Sequence, residues 1–564
     1  MSFQALPIGT DDFKKLLTNG YYYIDKTLLI KELLDKKGEV NLFTRPSQFG
    51  KTLNLSMLRY FFEDTGNPEL NEENSRLFHG MGILKTDKSY QEEMHQYPVI
   101  SLSLKSARQP NWELAFLMLK QQISLEFERH LYILEGLSSQ DQKRYTMILQ
   151  QEGALDNYAD ALSFLSKCLE QVHKKPVIFL IDEYDVPLEN AYFRGFYPQM
   201  LDFIRSLFES ALKTNPSLHF VVITGCLRIT KESIFTGLNN LKSNSIINEN
   251  YGEYFGFTES EVKKLLEDYD REAQLPTIQE WYDGYRFGTE EVYNPWSVLN
   301  YVDALAVNPE ALPSPYWSNT SSNNIIRSLI ERADLSVRTE IEELIGGGTI
   351  EKPVHEDITY EDVYDSMDNL WNFLFFTGYL KNSGKELRDN EILVRLSIPN
   401  TEVRQIYKTK IRGWFRDCIA QKDLTVLYEH ILKGNAAGFQ EELNGLLRDT
   451  ISFYDNVEAF YHGFLLGILG GLKTHILKSN RESGDGRFDI LLRSPDITSP
   501  LILIEIKTAK GFSELEQRAN AALEQIERLG YDREFAQEGY QHSIRYGIAF
   551  YKKTCRIEKE EISF

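Results

Sequence analysis

The first 250 residues alternate between short apolar runs and longer segments whose apolar side chains recur at helical spacing. The apolar runs predict strands at 39–44, 98–104, 176–181 and 218–224, and the spaced segments predict helices at 52–63, 111–137, 158–173 and 199–213. Strands that alternate with helices form parallel sheets, and strands that are apolar throughout are covered on both faces. Residues 1–250 are therefore predicted to form an α/β domain, a parallel sheet with helices on both faces.

Residues 251–450 combine helical spacing with a high density of aromatic side chains. Aromatic clusters such as those at 281–285 and 293–297 are more often core or turn packing than ligand sites, and we interpret them so here. Near the end of this region a strand is predicted to stop before Asn400 or Thr401, either of which would cap a helix. The region is therefore predicted to be a mainly helical lid or linker.

The last part of the chain, residues 451–564, mixes both patterns within the length of one ordinary domain. It predicts a helix at 456–472, strands at 488–492 and 501–507, an amphipathic helix at 514–529 and a final strand at 546–551. These elements indicate a third, compact α/β domain.

The composition is that of a globular protein, since 42% of the 564 residues are hydrophobic and 12% are aromatic. The apolar runs are strand-sized, so we expect no membrane partner, and the N-terminal segment lacks the features of a signal peptide. Four scattered cysteines have neither zinc nor redox spacing, which indicates reduced thiols and a cytoplasmic location: Cys168, Cys226, Cys418 and Cys555.

The net charge of −21 is unevenly distributed along the chain. Residues 451–564 contain 15 Lys and Arg against 17 Asp and Glu, so nearly all of the acidic excess lies in the first 450 residues. This distribution argues against a general nucleic-acid coat protein, but it leaves nucleic-acid binding by the C-terminal domain open.

The run Phe49-Gly50-Lys51-Thr52 joins the first predicted strand to a helix and has the pattern of a phosphate-binding loop. Lys51 would reach the phosphates of ATP and Thr52 would ligate Mg²⁺, while the helix N-terminus faces the phosphates. The full pattern asks for glycine where Arg45 stands, so either the loop has another shape or Arg45 contacts phosphate or a partner. The alternative is that Gly-Lys-Thr merely starts a helix.

Asp182 and Glu183 follow the buried strand at 176–181. In a Mg-ATP site the first carboxylate holds the water shell of the metal, and the second orients or deprotonates the attacking water. A solvated acidic loop is the alternative for such a pair. Its combination with Gly50-Lys51-Thr52 favours the nucleotide site.

Two further positions and one upstream stretch belong to the same hypothesis. Thr224 ends the strand at 218–224 and is a candidate sensor of the γ-phosphate, whereas Arg228 is either a phosphate contact or a surface charge. Upstream, the aromatic and polar stretch 21–27, with Asp25 and Lys26, either clasps the adenine and ribose or caps the edge of the sheet.

A second group of polar residues lies in the C-terminal domain. Glu505 and Lys507 are two apart on a predicted strand and share a face, and hairpin pairing would bring Asp489 alongside them. Carboxylates beside a lysine form an oxygen site for Mg²⁺, which can activate water against a phosphodiester. The alternative is a surface ion pair worth under about 1 kcal/mol.

The predicted helices on either side of these strands offer additional groups. Glu458 would add a third carboxylate, and His462, four residues further on, shares its helix face. Gln525, on the following helix, would orient the nucleophile.

These motifs, taken in order along nearly the whole chain, resemble bacterial AAA-ATPase-like proteins that carry a C-terminal nuclease domain of the PD-(D/E)XK superfamily. The matching stretches are 23–27, 45–52, 180–185, 224–225, 281–285, 293–297, 378–380, 399–403, 486–489, 504–507, 522–526 and 546–550. Arg45 fits the family, whereas Ser47 and Gln48 stand where the family usually has two arginines.

The resemblance implies a P-loop ATPase domain at 1–250, a lid or linker at 251–450 and a restriction-endonuclease-like domain at 451–564. It implies ATP binding by Lys51, Thr52, Asp182 and Glu183, and a nuclease site at Glu458, Asp489, Glu505, Lys507 and Gln525. We therefore expect ATP and Mg²⁺ as cofactors, and nucleic acid as the partner, with DNA ahead of RNA and a homo-oligomer as an open alternative.

The function expected from these observations is an ATP-gated, metal-dependent nuclease. One alternative is an NTP-dependent switch whose nuclease-like domain binds nucleic acid without cutting it. The other is a C-terminal domain that serves a protein partner, in keeping with its lack of a basic stripe.

Overall fold

The computed structural model describes the chain except residues 1–2, 229–233, 236–239, 320–334, 356–365, 389–390, 421–422, 451–457, 484–485, 531–534 and 537. The chain divides into two compact units. The first comprises Met1–Leu329 and Gly347–Ile406, and the second comprises Ile330–Gly346 and Tyr407–Phe564.

A parallel sheet of five strands forms the centre of the first unit. Its strands are β1 (Val40–Thr44), β2 (Val99–Ser103), β3 (Val177–Asp182), β4 (Leu218–Gly225) and β5 (Leu241–Asn244). They lie in the order β2-β3-β4-β1-β5, and each neighbouring pair is parallel. The predicted parallel sheet is therefore confirmed, and β5 is an edge strand that the sequence did not indicate.

The helices of the first unit surround this sheet and form an extension beyond it. They are Phe13–Thr18, Leu28–Lys36, Lys51–Phe62, Pro68–Arg76, Lys88–Gln91, Trp112–Arg129, Ser139–Leu149, Leu155–Ala159, Ala161–His173, Val186–Arg194, Tyr197–Leu212, Glu259–Asp268, Leu275–Tyr282, Pro295–Val307, Met367–Phe376 and the start of Thr401–Ala420. The helix predicted at 111–137 ends early, at Arg129, because His130 turns into the core and hydrogen-bonds the carbonyl of Val99 at 3.0 Å.

The middle of the chain is mostly helical, but it also contains two small sheets. One pairs β6 (Tyr285–Phe287) with β7 (Glu290–Val292). The other holds β8 (Ile350–Pro353), β9 (Lys381–Arg388) and β10 (Glu391–Ser397) in the antiparallel order β8-β10-β9. Asn400 caps the next helix, as one of the two predicted candidates, by accepting a hydrogen bond from Val403 N at 3.0 Å.

A mixed sheet of five strands forms the centre of the second unit. In sheet order the strands are β11 (Ile476–Ser483), β12 (Gly486–Arg493), β13 (Leu501–Thr508), β14 (His542–Tyr551) and β15 (Thr554–Ser563). Only the β13–β14 pair is parallel among these neighbours. The helices of this unit are Leu335–Ile345, the remainder of Thr401–Ala420, Thr425–Leu432, Ala436–Thr450, Glu458–Leu469 and Leu515–Leu529.

The two faces of β13 meet different partners. Ile502, Ile504 and Ile506 share a core with three helices, Thr425–Leu432, Ala436–Thr450 and Glu458–Leu469. Leu501 and Leu503 face the other way, toward Ile526 of helix Leu515–Leu529. Alternation along the strand places residues 505 and 507 on that second face, and Ile506 points into the core as predicted.

Two further findings concern expectations from composition. Within the described residues, no helix has both the length and the apolar character that a membrane span requires. Cys168, Cys226 and Cys555 are free thiols. The side chain of Cys418 lies outside the described residues.

A substitution at Gly547 tests the packing of the second unit. A Cβ at Gly547, in β14, would lie 2.1 Å from the carbonyl oxygen of Ala519 in helix Leu515–Leu529. Because this backbone atom cannot rotate away, Gly547→Ala is expected to lower the free energy of unfolding by roughly 1–3 kcal/mol. Urea denaturation of the full chain, followed by circular dichroism, measures the change.

The matched control is Gly463→Ala, in helix Glu458–Leu469, where a Cβ would meet open space. Alanine there is expected to raise the free energy of unfolding by about 0.5–1 kcal/mol through helix propensity. A Gly547→Ala protein as stable as wild type would contradict the close contact between helix and sheet.

Candidate functional site

The first candidate site begins where β1 leads into helix Lys51–Phe62. Gly50 precedes the helix with φ of 81°, a left-handed conformation that glycine adopts without strain. Lys51 and Thr52 occupy the first turn, where backbone N–H groups have no acceptor within the helix. The loop therefore has the helix N-terminus that anion binding requires.

A chain of hydrogen bonds joins the helix start to two strand ends. The Thr52 hydroxyl donates to Oδ2 of Asp182 at 2.7 Å, and the Thr224 hydroxyl donates to Oδ1 of the same carboxylate. Asp182 is buried. Three predicted residues thus lie together, and the oxygen of Thr52 keeps lone pairs for a cation while its proton is donated.

The ammonium of Lys51 is buried inside the loop. It donates to the carbonyl oxygens of Arg45 and Pro46, each at 2.8 Å, and Nζ lies 3.8 Å from Sγ of Cys226. A phosphate that binds Lys51 must therefore compete with two carbonyl groups of the loop itself.

Carboxylates gather beside this loop. Burial, and then the neighbouring Asp182, raises the pKa of Glu183, whose backbone φ of 51° is unusual for a residue with a side chain. Asp185 is buried and accepts hydrogen bonds from Cys226 N at 2.7 Å and Leu227 N at 2.9 Å. Burial raises the pKa of Glu189 to about 7. The opposing charges in this cluster are those of Lys51, Lys105 and Arg108.

A cavity of about 540 Å³ opens above the loop. Its lining includes polar groups, namely Gln48, Lys51, Thr52, Lys105, Arg108, Glu183, Asp185 and Glu189. It also includes aromatic side chains, namely Tyr22, Tyr23, Tyr254, Phe257, Trp296, Trp317, Phe373 and Tyr379. Its volume and mixed lining are typical of small-molecule sites.

Arg45 lies beneath the loop. Its guanidinium stacks between the rings of Phe255 and Phe287, 5.0 Å from each centroid, and donates to the carbonyls of Thr44 and Asn244. Burial lowers the pKa of Arg45 to about 9. This buried position favours the interpretation in which the loop differs in shape from the glycine-rich form. Arg45 then stabilises the loop through ring stacking and hydrogen bonds to backbone carbonyls.

Asp25 and Lys26 are held by neighbours in the first unit. Asp25 accepts hydrogen bonds from the backbone of Thr27 at 2.8 Å and of Gly82 at 2.6 Å. Lys26 lines the cavity, but its ammonium donates to the Glu261 carboxylate at 2.7 Å. These contacts fasten the stretch 21–27 and leave its aromatic side chains at the cavity.

Two other predicted positions differ in their surroundings. Phe49 also lines the cavity and packs against Tyr285 and Phe287, with ring centroids 4.9 and 5.2 Å away. Arg228, three residues after β4, is partly exposed.

The second candidate site lies on β13 in the second unit. Glu505 is 2% exposed, and its Oε1 accepts hydrogen bonds from Lys507 Nζ at 3.0 Å and from the Gln525 amide. Its other oxygen, Oε2, is buried without a hydrogen-bond partner among the described residues. Burial raises the pKa of Glu505 to about 7, the nearby Asp489 adds to this shift, and Lys507 opposes it.

Asp489 joins this group through the backbone. Backbone pairing between β12 and β13 ends at Ile490 and Ile504. Asp489, the residue before Ile490, instead uses its side chain, whose Oδ2 accepts a hydrogen bond from Ile506 N at 2.8 Å. Burial lowers the pKa of Lys507, but the carboxylates of Glu505, Glu458 and Asp489 together outweigh this and the net shift is upward. Asp489, Glu505, Lys507 and Gln525 therefore lie together, as the sequence predicts.

The remaining predicted residues lie on helix Glu458–Leu469. Glu458 is exposed at its first position and contributes to the raised pKa of Lys507. His462 donates through Nε2 to the carbonyl oxygen of Asp489 at 3.0 Å. No group of three or more His, Cys, Asp or Glu side chains in the described part of the chain is arranged to hold a metal ion. Glu458 is thus near the site without completing a ligand set.

Sequence reasoning missed a buried carboxylate that contacts Trp317, a residue of the cavity lining. Glu402 accepts hydrogen bonds from the Ser297 hydroxyl and from Trp317 N, and the indole of Trp317 reaches the carbonyl of Ser47 in the loop. Ser297 and Glu402 lie in stretches that carry the family resemblance, but the resemblance assigns no role to either residue. Trp317 had no signal in the sequence.

Comparisons with known proteins bear on the domain organisation. Residues 7–235 match the family described as a predicted AAA-ATPase, and residues 456–560 match the PD-(D/E)XK nuclease superfamily. An uncharacterized protein encoded in the vnfD 5′ region of Azotobacter chroococcum mcd 1 is 27% identical over 335 residues. The match covers 58% of this chain and 57% of that relative. The chain thus combines a domain of the predicted AAA-ATPase family at residues 7–235 with a domain of the PD-(D/E)XK nuclease superfamily at residues 456–560.

Proposed function

We propose that the first unit binds and hydrolyses Mg-ATP and that the second unit is a metal-dependent nuclease whose activity ATP controls. The observation that supports this most is the hydrogen bond from Thr52 to Asp182, which joins two halves of a nucleotide site that lie 130 residues apart in the sequence. A helix that merely starts at Gly-Lys-Thr has no need of an acidic strand end at its first turn.

In this proposal the phosphates of ATP bind at the start of helix Lys51–Phe62. Lys51 exchanges its two carbonyl acceptors for phosphate oxygens, and Thr52 and Asp182 hold Mg²⁺, which supplies charge neutralisation. Glu183 orients or deprotonates the attacking water, and its raised pKa favours acceptance of a proton. The adenine and ribose lie against aromatic side chains of the cavity lining, such as Tyr23.

The residues of the second unit fit a magnesium ion. Mg²⁺ keeps several of its waters, so one or two carboxylates are enough to hold it. Glu505, whose buried Oε2 has no partner in the part of the chain that the structure describes, and the neighbouring Asp489 supply such carboxylates, and a cation there would offset the cost of burying their charge. The bound ion supplies Lewis-acid assistance to phosphodiester hydrolysis.

Two further residues complete the proposed nuclease site. Lys507 positions the attacking water or neutralises the charge that develops on the phosphate, and Gln525 orients the nucleophile. Both side chains donate to Glu505, which supports these roles because they lie beside a carboxylate that would hold the ion.

A second candidate function is an ATP-dependent switch whose C-terminal unit binds nucleic acid or a protein partner without cutting. The observation that favours it is the small number of candidate ligands, since no cluster of three or more ligating side chains occurs in the described residues. The uncharged Ser47 and Gln48 beside the loop also favour modest nucleotide affinity.

Two substitutions separate binding from hydrolysis at the ATP site. Lys51→Ala is expected to abolish ATP binding because it removes the buried ammonium, whereas Glu183→Gln is expected to keep binding and lower hydrolysis by about 10²-fold or more. Binding of labelled ATP and phosphate release measure the two effects. Lys88→Ala, at an exposed position of the same unit, is the control. If Lys51→Ala binds ATP as the wild type does, the assignment of the ATP site to this loop is wrong.

Two other substitutions test the nuclease site. Glu505→Gln and Lys507→Ala are expected to lower cleavage by at least about 10²-fold, because the first removes a carboxylate that would hold the ion and the second removes a positive charge at the reacting phosphate. Plasmid, single-stranded DNA and RNA are incubated with Mg²⁺ or Mn²⁺, with and without ATP, and DNA is expected to be cut ahead of RNA.

The exposed Lys473 of the same unit supplies the control, Lys473→Ala, which should cut as wild type does. ATP hydrolysis by a wild-type protein that cuts none of these substrates would favour the switch over the nuclease.

A further inference from the structure

We propose that Glu402 is a positioning residue that couples the phosphate loop to the helix linking the two units, by holding Trp317 against the loop. The inference rests on the proposed ATP site and adds to it the route by which nucleotide occupancy reaches the rest of the chain.

The first step of this route is the contact between Trp317 and the loop. Trp317 is fully buried and lines the cavity, and the centroid of its ring lies 4.8 Å from the centroid of the Tyr379 ring. Its Nε1 donates to the carbonyl of Ser47 at 3.3 Å. Ser47 directly follows Pro46, whose carbonyl accepts from Lys51. A phosphate that takes Lys51 from this carbonyl therefore alters the backbone segment on which Trp317 rests.

The second step is the close packing of the neighbouring loop on the same segment. Gly378 has φ of +89°, and a Cβ there would lie 2.9 Å from Pro46. Only glycine allows this approach, which brings Tyr379 against Trp317. Trp317 and Tyr379 thus cover the loop at residues 46–47, and movement of that segment is transmitted to both rings because buried side chains have little free space.

The third step joins Trp317 to Glu402. Oε1 of Glu402 accepts from the backbone N–H of Trp317 at 2.9 Å, and the Ser297 hydroxyl donates to Oε2 at 2.9 Å. Glu402 has no exposed surface, and the donors that reach it are uncharged. Burial raises the pKa of Glu402 to about 7, so this carboxylate is retained at an energetic cost that a purely apolar packing residue would avoid.

The last step follows from the position of Glu402 in the chain. It lies in the first turn of helix Thr401–Ala420, which belongs to the first unit up to Ile406 and to the second unit from Tyr407 onward. A contact that fixes this first turn relative to the phosphate loop therefore acts on the covalent link between the units. Coupling requires contacts that differ between the nucleotide-free and nucleotide-bound states, and the hydrogen bonds of Lys51 and Trp317 to adjacent loop carbonyls are such contacts.

Hydrogen exchange on the full chain, with and without a non-hydrolysable ATP analogue, tests this route. In the wild type the analogue is expected to change exchange at 47–54 and also at 401–410. In Glu402→Ala the change at 47–54 persists and the change at 401–410 is lost, whereas Glu402→Gln restores it because its amide oxygen still accepts from Trp317 N. Glu272→Gln, at an exposed position of the first unit, behaves as wild type.

Trp317→Phe keeps an aromatic ring at this position and removes the N–H donor to Ser47 together with part of the buried ring, so it tests the same link if Glu402→Ala fails to fold. It is expected to raise the KM for ATP roughly 2- to 10-fold with little change in kcat, and to lose the nucleotide-dependent change at 401–410.

Two results would overturn the coupling and leave ATP binding intact. In the first, the analogue changes exchange at 47–54 but not at 401–410 in the wild type. In the second, the change at 401–410 survives in Glu402→Ala. No response at 47–54 in the wild type overturns the proposed ATP site and the coupling with it.

Discussion

Carboxylates buried away from water must be compensated by donors or cations, and this constraint organises both candidate sites. Asp182 is compensated by two hydroxyl groups, one from a helix start and one from a neighbouring strand. Glu505 is only partly compensated, since Lys507 and Gln525 share one of its oxygens and the other is buried without a partner in the described residues. In the proposed function, a cation at Asp182 would therefore join donors that the protein already supplies, whereas a cation at Glu505 would offset a charge that the protein leaves partly uncompensated.

The sheets place these carboxylates through simple topological rules. In the first unit, adjacent parallel strands bring their carboxyl ends to one edge, so Asp182 and Thr224 meet beside the loop after β1. In the second unit, alternation along β13 sends Ile506 into the core and leaves Glu505 and Lys507 on the face of helix Leu515–Leu529. The scaffold thereby presents polar groups from strands whose other residues are apolar.

These same rules account for what the sequence could predict. Apolar strands such as Val177–Asp182 and the pairing of Asp489 with β13 follow from local patterns. The edge strands β5, β11 and β15 were missed because polar residues interrupt their apolar pattern. The burial of Arg45 and the contact of Glu402 with Trp317 were also missed, since they depend on neighbours distant in sequence, 85 residues apart in the second case. Local spacing carries no information about such contacts.

Counting bound Mn²⁺ by electron paramagnetic resonance tests the central claim, that the chain holds two separate cation sites of different design. Without nucleotide the account predicts one bound ion, lost in Glu505→Gln. With a non-hydrolysable ATP analogue it predicts a second, lost in Lys51→Ala and retained in Glu505→Gln. A count that neither the analogue nor Glu505→Gln changes would contradict the account.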